Sequence, residues 1–125
     1  MNVHDIKAIL DGLGPVSEVK TAEEDAAAFP QLATYDGGGV YVGRFAGGSG
    51  PWECHPDADE LLHVLEGRLE VTVLTGNDAS TVAVNAGCFV VVPRGHWHHV
   101  AGRPTVALLA VSPRTEVSYG DPRER

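Results

Sequence analysis

The chain has 125 residues, with 17 Asp and Glu against 9 Lys and Arg, which gives a formal net charge of -8. This length suits one domain with its own core, and the negative charge argues against nucleic acid or an anionic membrane as a partner. The only cysteines are Cys54 and Cys88, and no apolar run is long enough to span a bilayer. We therefore expect a cytoplasmic protein with reduced thiols.

The N-terminal arm, residues 1–30, is predicted to hold one short helix and a second candidate, which is either a helix or only a turn. Apolar residues first recur at helical spacing, at Ile6, Ile9, Leu10 and Leu13. The second helix covers Thr21 to Phe29, where Thr21 is a capping residue and Glu24 follows three positions later. The sequence therefore predicts a short N-terminal helix and a second, alanine-rich helical turn.

From residue 38 the chain changes to short apolar or alternating runs that are separated by glycine, proline and asparagine. The predicted strands are 40–45, 60–65, 69–74, 81–84, 89–92, 97–100 and 105–111. Strands that repeat this often with short turns indicate an all-β sandwich or barrel, with a core at about residues 38–113. The segment 114–125 is polar and is predicted to be a surface arm.

Candidate functional residues are concentrated at 52–60 and at 95–99. Glu53 and His55 are two positions apart, so in an extended segment both side chains project to one face. Pro56 to Asp59 forms a turn, after which the carboxylate of Glu60 can fold back toward His55. A closed barrel would bring the His96 to His99 stretch opposite this hairpin. If these two stretches do not meet in the fold, the 52–60 stretch is only an acidic surface turn.

These stretches resemble the two motifs of the cupin superfamily, specifically of its small single-domain members. The first motif, G-x5-H-x-H-x4-E-x6-G, is matched by His55, Glu60 and Gly67, whereas Glu53 stands where the family usually has its first histidine. The second motif, G-x5-P-x-G-x2-H-x3-N, is matched with every spacing intact by Gly87, Pro93, Gly95 and His98. Only its last position differs, because Gly102 replaces asparagine. The resemblance implies one cupin domain over residues 1–125, which is a double-stranded β-helix or jelly-roll barrel.

Carried over to this chain, the resemblance implies one divalent metal ion bound by Glu53, His55, Glu60 and His98. Two imidazoles and two carboxylates favour Mn or Fe, while Zn and Ni are also tolerated. Two other roles for Glu53 stay open: it points away from a two-histidine, one-carboxylate site, or it is a general base in a metal-free pocket. His96 is a candidate substrate contact at the cavity mouth, and its alternative is a simple turn residue.

Two functions are consistent with this chain. The first is a metal-dependent enzyme, of dioxygenase or isomerase/lyase type, that acts on a small oxygenated or carboxylated molecule. The alternative is a non-catalytic small-molecule-binding cupin in which the metal is structural or absent.

The resemblance also implies a homodimer, with edge strands around residues 16–19 as the donors.

The cavity is predicted to be mostly apolar. Whether Val40 and Val42 or Tyr41 and Gly43 face inward depends on a register that the sequence does not fix. If Arg44 reaches the cavity, it would favour a carboxylate-bearing substrate. The full set of candidate lining residues is Val40, Val42, Arg44, Leu62, Val64, Phe89, Val91 and Val100.

Overall fold

The computed structural model describes residues 1–14, 21–46, 49–113 and 115–124. Within these ranges, two helices precede eight strands, and a final 3-10 turn covers Pro122–Glu124. The helices are α1 (Ile6–Asp11) and α2 (Ala22–Ala28). The strands are β1 (Gln31–Tyr35), β2 (Gly38–Ala46), β3 (Trp52–Cys54), β4 (Glu60–Thr75), β5 (Asp78–Asn85), β6 (Phe89–Val92), β7 (His98–Ser112) and β8 (Glu116–Ser118).

The strands form one antiparallel sheet that curls around a cavity, which confirms the predicted all-β cupin architecture with a short N-terminal helix. One path through the sheet runs β1-β2-β7-β3-β8, and β4 pairs with β5, β6 and β7. In the described part of the chain, no helix has the length and apolar character needed to cross a membrane. The predicted edge strand at 16–19 lies outside the described residues.

Two pairs of predicted strands are single long strands. The segments 60–65 and 69–74 both belong to β4, and the segments 97–100, apart from its first residue, and 105–111 both belong to β7. Gly67 has a φ of 78°, and the pairing of β4 with β7 shifts register on both sides of Glu66. Glu66 and Gly67, which lie between the two predicted strands, therefore form a bulge, which bends β4 without ending it because β7 continues as its partner.

The core lies on the inner face of the sheet, while α1 covers part of the outer face. Leu69 and Val71 are buried on the inner face, as the alternation of β4 predicts. On the outer face, Leu10 of α1 packs with Val42 of β2 and Ala107 of β7. Each fully buried aliphatic side chain of this kind stabilises the fold by roughly 1.5–3 kcal/mol.

Helix α2 is fixed against β2 by a close approach at Gly43. The helix begins as predicted, because the Thr21 hydroxyl accepts a hydrogen bond from the backbone N–H of Glu24 at 3.1 Å. A Cβ atom at Gly43 would overlap the ring of Phe29, which follows the helix. Glycine at this position therefore lets α2 lie close to the sheet, with Asp25 and Phe29 lining the cavity.

Candidate metal centre

Three separate parts of the sheet bring the predicted site residues together. Glu53 lies on β3 directly opposite His98 at the start of β7, and Glu60 begins β4. His55 follows β3, and its carbonyl accepts a hydrogen bond from the backbone N–H of Gly95 at 2.8 Å. Residues 93–95 thus hold the first motif against the second.

Glu60 is the central residue of this cluster. Its Oε2 lies 3.1 Å from Nε2 of His55, and its Oε1 lies 3.0 Å from Nε2 of His98. Oε2 of Glu53 lies 3.8 Å from both Nε2 atoms. Each of the four residues offers one possible ligand atom, and these atoms all lie within 4.8 Å of one another. Glu60 and both histidines are buried, while the Glu53 side chain keeps 26% of its exposure.

The two carboxyl groups have opposite electrostatic environments. Burial, together with repulsion from Glu60, raises the pKa of Glu53 to about 8. Burial would also raise the pKa of Glu60, but hydrogen bonds and charge interactions with His55 and His98 outweigh it and lower that pKa to about 2. Around neutral pH, therefore, the metal-free cluster holds one carboxylate at Glu60 and one protonated carboxyl at Glu53.

The cluster opens into a cavity of about 250 Å³. Apart from the cluster, its walls are mostly apolar, and the described residues that line it include no Lys or Arg. Burial, helped by repulsion from Glu60, raises the pKa of Asp25 at this cavity. The lining residues outside the cluster are Asp25, Phe29, Tyr41, Gly50, Pro51, Leu62, Val100, Leu108, Ala110, Ser112, Thr115 and Val117.

Only Leu62 and Val100 of the predicted lining residues contact the cavity. On β2 the inward residue is Tyr41, so Val40, Val42 and Arg44 have the opposite parity. On β4 and β6, Val64 is buried in the core, while Phe89 and Val91 are 64% and 48% exposed. The prediction was wrong for Val40, Val42, Arg44, Phe89 and Val91 because sequence alone did not fix which face of each strand is the inner one. Val64 does lie on the inner face, but it packs in the core without lining the cavity.

The expectation that Arg44 reaches the cavity is also wrong. Its guanidinium donates to the carbonyl of Leu10 at 3.0 Å and pairs with the carboxylate of Glu66 at 3.1 Å. Both partners lie on the side of the sheet that α1 covers. No arginine on β2 is therefore directed at a substrate carboxylate.

The other histidines near the second motif lie apart from the cluster. Nδ1 of His96 is 3.2 Å from the carbonyl oxygen of Leu74, and His96 does not line the cavity. This position agrees with the turn alternative rather than with a substrate contact. The ring of His99 packs against Trp52 with 5.0 Å between the ring centroids.

Two residues near the cluster, Asp25 and Thr115, were not predicted from the sequence, whereas Tyr41 was one of the two alternatives left open for β2. Thr115 follows β7 in the segment predicted to be a surface arm, and its hydroxyl lies 3.1 Å from Nδ1 of His55. The strand β8 that comes next pairs with β3. The only signal in the sequence was the alternation of Thr115 and Val117 with polar residues.

The donor set fits a divalent metal ion. Two imidazole nitrogens and two carboxylate oxygens converge at the buried end of the cavity, and two carboxylates would balance a double positive charge. Burying two carboxylates together is costly without such a charge, and the raised pKa of Glu53 reflects this cost.

Comparisons with known proteins agree with this architecture. Residues 45–112, more than half of the chain, match the family model for the cupin domain, Cupin_2. Germin-like protein 1-1 of Oryza sativa subsp. japonica is 36% identical over 86 residues, which are 66% of this chain and 40% of that protein. Germin-like protein 3-8 of the same plant is 40% identical over 78 residues, 59% of this chain and 33% of that protein.

Solved structures extend the comparison. An oxalate oxidase in complex with the substrate analogue glycolate is 30% identical, with a TM-score of 0.53, over 67% of this chain and 43% of that chain. A cupin-2 domain-containing protein from Shewanella frigidimarina is 23% identical, with a TM-score of 0.54, over 69% of this chain and 79% of that chain, which supports the fold alone. This chain spans less than half the length of the germin-like proteins and of the oxalate oxidase.

Proposed function

The chain belongs to the cupin family, and on this premise we propose that it binds one divalent metal ion and acts on a small oxygenated molecule beside it. The ligands are Glu53, His55, Glu60 and His98. The observation that carries the proposal is the convergence of their four ligand atoms within 4.8 Å of one another at a cavity.

The chemistry of the ligands indicates which ions suit the site. Two carboxylate oxygens and two imidazole nitrogens favour Mn(II) or Fe(II), and Zn(II) or Ni(II) is tolerated. Such an ion supplies a Lewis acid and, in the case of iron or manganese, a redox centre. The reaction we propose is accordingly of dioxygenase or isomerase/lyase type.

The protonation state of the Glu53 carboxyl depends on the charges around it. This carboxyl is more exposed than that of Glu60 and lies farther from both histidines. A nearby dication would lower the raised pKa of Glu53 and release its proton. Glu53 therefore either completes the ligand set or, when it is not bound, moves a proton at Oε2 to or from a molecule in the cavity.

The cavity supports a small substrate. Its volume of about 250 Å³ lies below the roughly 300–1,000 Å³ that is typical of drug-sized ligands. The likeness to an oxalate oxidase that binds glycolate makes small hydroxy acids and dicarboxylic acids the first candidates. Because the described lining residues include no Lys or Arg, a substrate carboxylate would be held through the ion.

Metal analysis of the untagged protein, purified without chelators, tests the proposal. We expect close to one ion per chain in the wild type and none in His98→Ala. His96→Ala is the matched control, because this imidazole lies outside the cluster, and we expect it to keep the ion. A wild type that stays metal-free after reconstitution with Mn, Fe, Zn and Ni would refute the proposal and favour a non-catalytic binding protein.

The identity of the ion then directs the substrate assay. With iron or manganese, we expect dioxygen uptake when a small carboxylic or hydroxy acid is added. With zinc, we expect a rearrangement or elimination without dioxygen uptake. Calorimetric titration of the loaded protein with glycolate and oxalate measures binding independently of turnover, and no binding of either acid would remove them as substrate candidates.

A further inference from the structure

The hydroxyl group of Thr115 lies between two polar atoms. Its Oγ is 3.1 Å from the carbonyl oxygen of Pro113 and 3.1 Å from Nδ1 of His55. A hydroxyl has a single proton, and a carbonyl oxygen accepts hydrogen bonds but never donates them. The Thr115 proton is therefore donated to Pro113. Thr115 must then accept a hydrogen bond from His55, so Nδ1 of His55 carries a proton.

This arrangement decides which nitrogen of His55 is available to a metal ion. With a proton held on Nδ1, only Nε2 can offer a lone pair, and Nε2 is the atom beside Glu60 and Glu53. We infer that Thr115 is a positioning residue, which fixes the tautomer and ring orientation of His55 and so prepares Nε2 as a ligand. The inference rests on the proposed metal function.

His98 lacks an equivalent partner. Its Nε2 lies 3.0 Å from Glu60, whereas its Nδ1 is buried without a hydrogen-bond partner among the described residues. When Nε2 of His98 binds an ion, its proton has to lie on Nδ1, and no described acceptor receives it there. The two imidazoles thus differ in the hydrogen bond at Nδ1, and only for His55 does a described residue fix the tautomer before a metal ion binds.

Thr115 reaches His55 because the end of the chain returns to the sheet. Strand β8 pairs with β3, with Cys54 opposite Glu116 and Glu53 opposite Val117. This pairing keeps the residue before β8 next to the residue after β3. Thr115 lies beyond the residues 45–112 that match the family model, so the flanking segment contributes directly to the metal centre.

Two substitutions at Thr115 test the inference. Thr115→Val keeps the shape of the side chain but removes the hydroxyl, while Thr115→Ser keeps the hydroxyl. We expect Thr115→Val to weaken binding of Zn²⁺ and Mn²⁺, measured by competition with a chelator, by roughly 10- to 100-fold. Thr115→Ser should bind both ions as the wild type does. Equal affinities for all three proteins would overturn the inference.

A second measurement separates positioning from a merely structural effect. Imidazole nitrogen NMR of the metal-free protein reports whether Nδ1 of His55 is protonated. We expect a proton there in the wild type and in Thr115→Ser, and its loss in Thr115→Val. An unprotonated Nδ1 in the wild type overturns the inference even if Thr115→Val fails to fold. Because this readout needs no metal, it also stands apart from a failure of the proposed function.

Discussion

The candidate ligands and the groups around them come from different parts of the chain. Glu53, His55, Glu60 and His98 all lie within the residues 45–112 that match the cupin family model. Asp25 and Phe29 come from the N-terminal side of that segment, and Thr115 and Val117 come from its C-terminal side. The barrel therefore supplies the candidate metal-binding atoms, whereas the flanking segments contribute to the polarity and shape of the space beside them.

The largest effect is expected from a change within the barrel. Glu60→Gln keeps the size of the side chain but removes the charge that both histidines contact. Because breaking a buried ionic network costs roughly 3–5 kcal/mol, we expect loss of bound metal and a lower free energy of unfolding, measured with urea. Glu66→Gln, on the side that α1 covers, is the control and should keep its metal. A Glu60→Gln protein that binds metal normally would contradict this assignment.

The second prediction concerns the pH dependence of the metal-free protein. The pKa of Glu53 is about 8 in the folded protein, above its ordinary 4.5. The folded state therefore holds this proton more tightly than the unfolded chain does, and this stabilisation, complete below pH 4.5, is lost as the pH rises through 8. We expect the thermal midpoint to fall as the pH rises from about 5 to about 8. The corresponding loss in the free energy of unfolding is on the order of a few kcal/mol at most.

Glu60 gives the opposite dependence, because its pKa is lowered to about 2 and its stabilisation is lost only as the pH falls below 4.5 toward 2. Metal ions compete with the proton of Glu53, so adding the ion should raise the thermal midpoint more at high pH than at low pH. Glu53→Gln should remove the decline at high pH. An unchanged decline in that variant would show that another group causes it.

A smaller effect is expected where a flanking segment meets the barrel. Gly43→Ala would place a Cβ atom against the ring of Phe29 and push α2 outward. Overpacking of this kind typically costs about 1–3 kcal/mol, which urea unfolding measures. Metal affinity should stay unchanged, because all four ligands lie elsewhere. Gly12→Ala, where the added Cβ makes only ordinary contacts, is the control, and equal stability of the two variants would contradict the prediction.

The smallest effect is expected at Asp25. Asp25→Asn removes a negative charge from the cavity wall without touching the ligands. We expect glycolate to bind the metal-loaded protein a few-fold more tightly, because repulsion between two charges about 4 Å apart is about 1 kcal/mol when water screens them. Calorimetric titration measures this change. Glu23→Gln, an exposed neighbour on α2, should leave the affinity unchanged, and weaker binding by Asp25→Asn would mean that Asp25 contacts the ligand directly.

The sequence predicted local features well and the faces of strands poorly. The Thr21 cap and the inward direction of Leu69 and Val71 follow from patterns within a few residues. By contrast, β2 has side chains of similar character on both faces, so nothing local assigned Tyr41 to the cavity and Arg44 to the opposite side. Parity in such a strand is decided by what packs against it.

By itself, the sequence determined the all-β fold class and the start of α2, and the resemblance of its two motifs indicated the cupin family and the residues that could hold a metal ion. The fold class and the helix start depend on short-range spacing and on backbone preferences that each residue carries with it. Tertiary structure alone decided that Gly67 forms a bulge rather than a turn, and that Thr115 reaches His55 across 60 positions of sequence. Both outcomes depend on which strand lies alongside, and strand pairing is a property of the whole sheet.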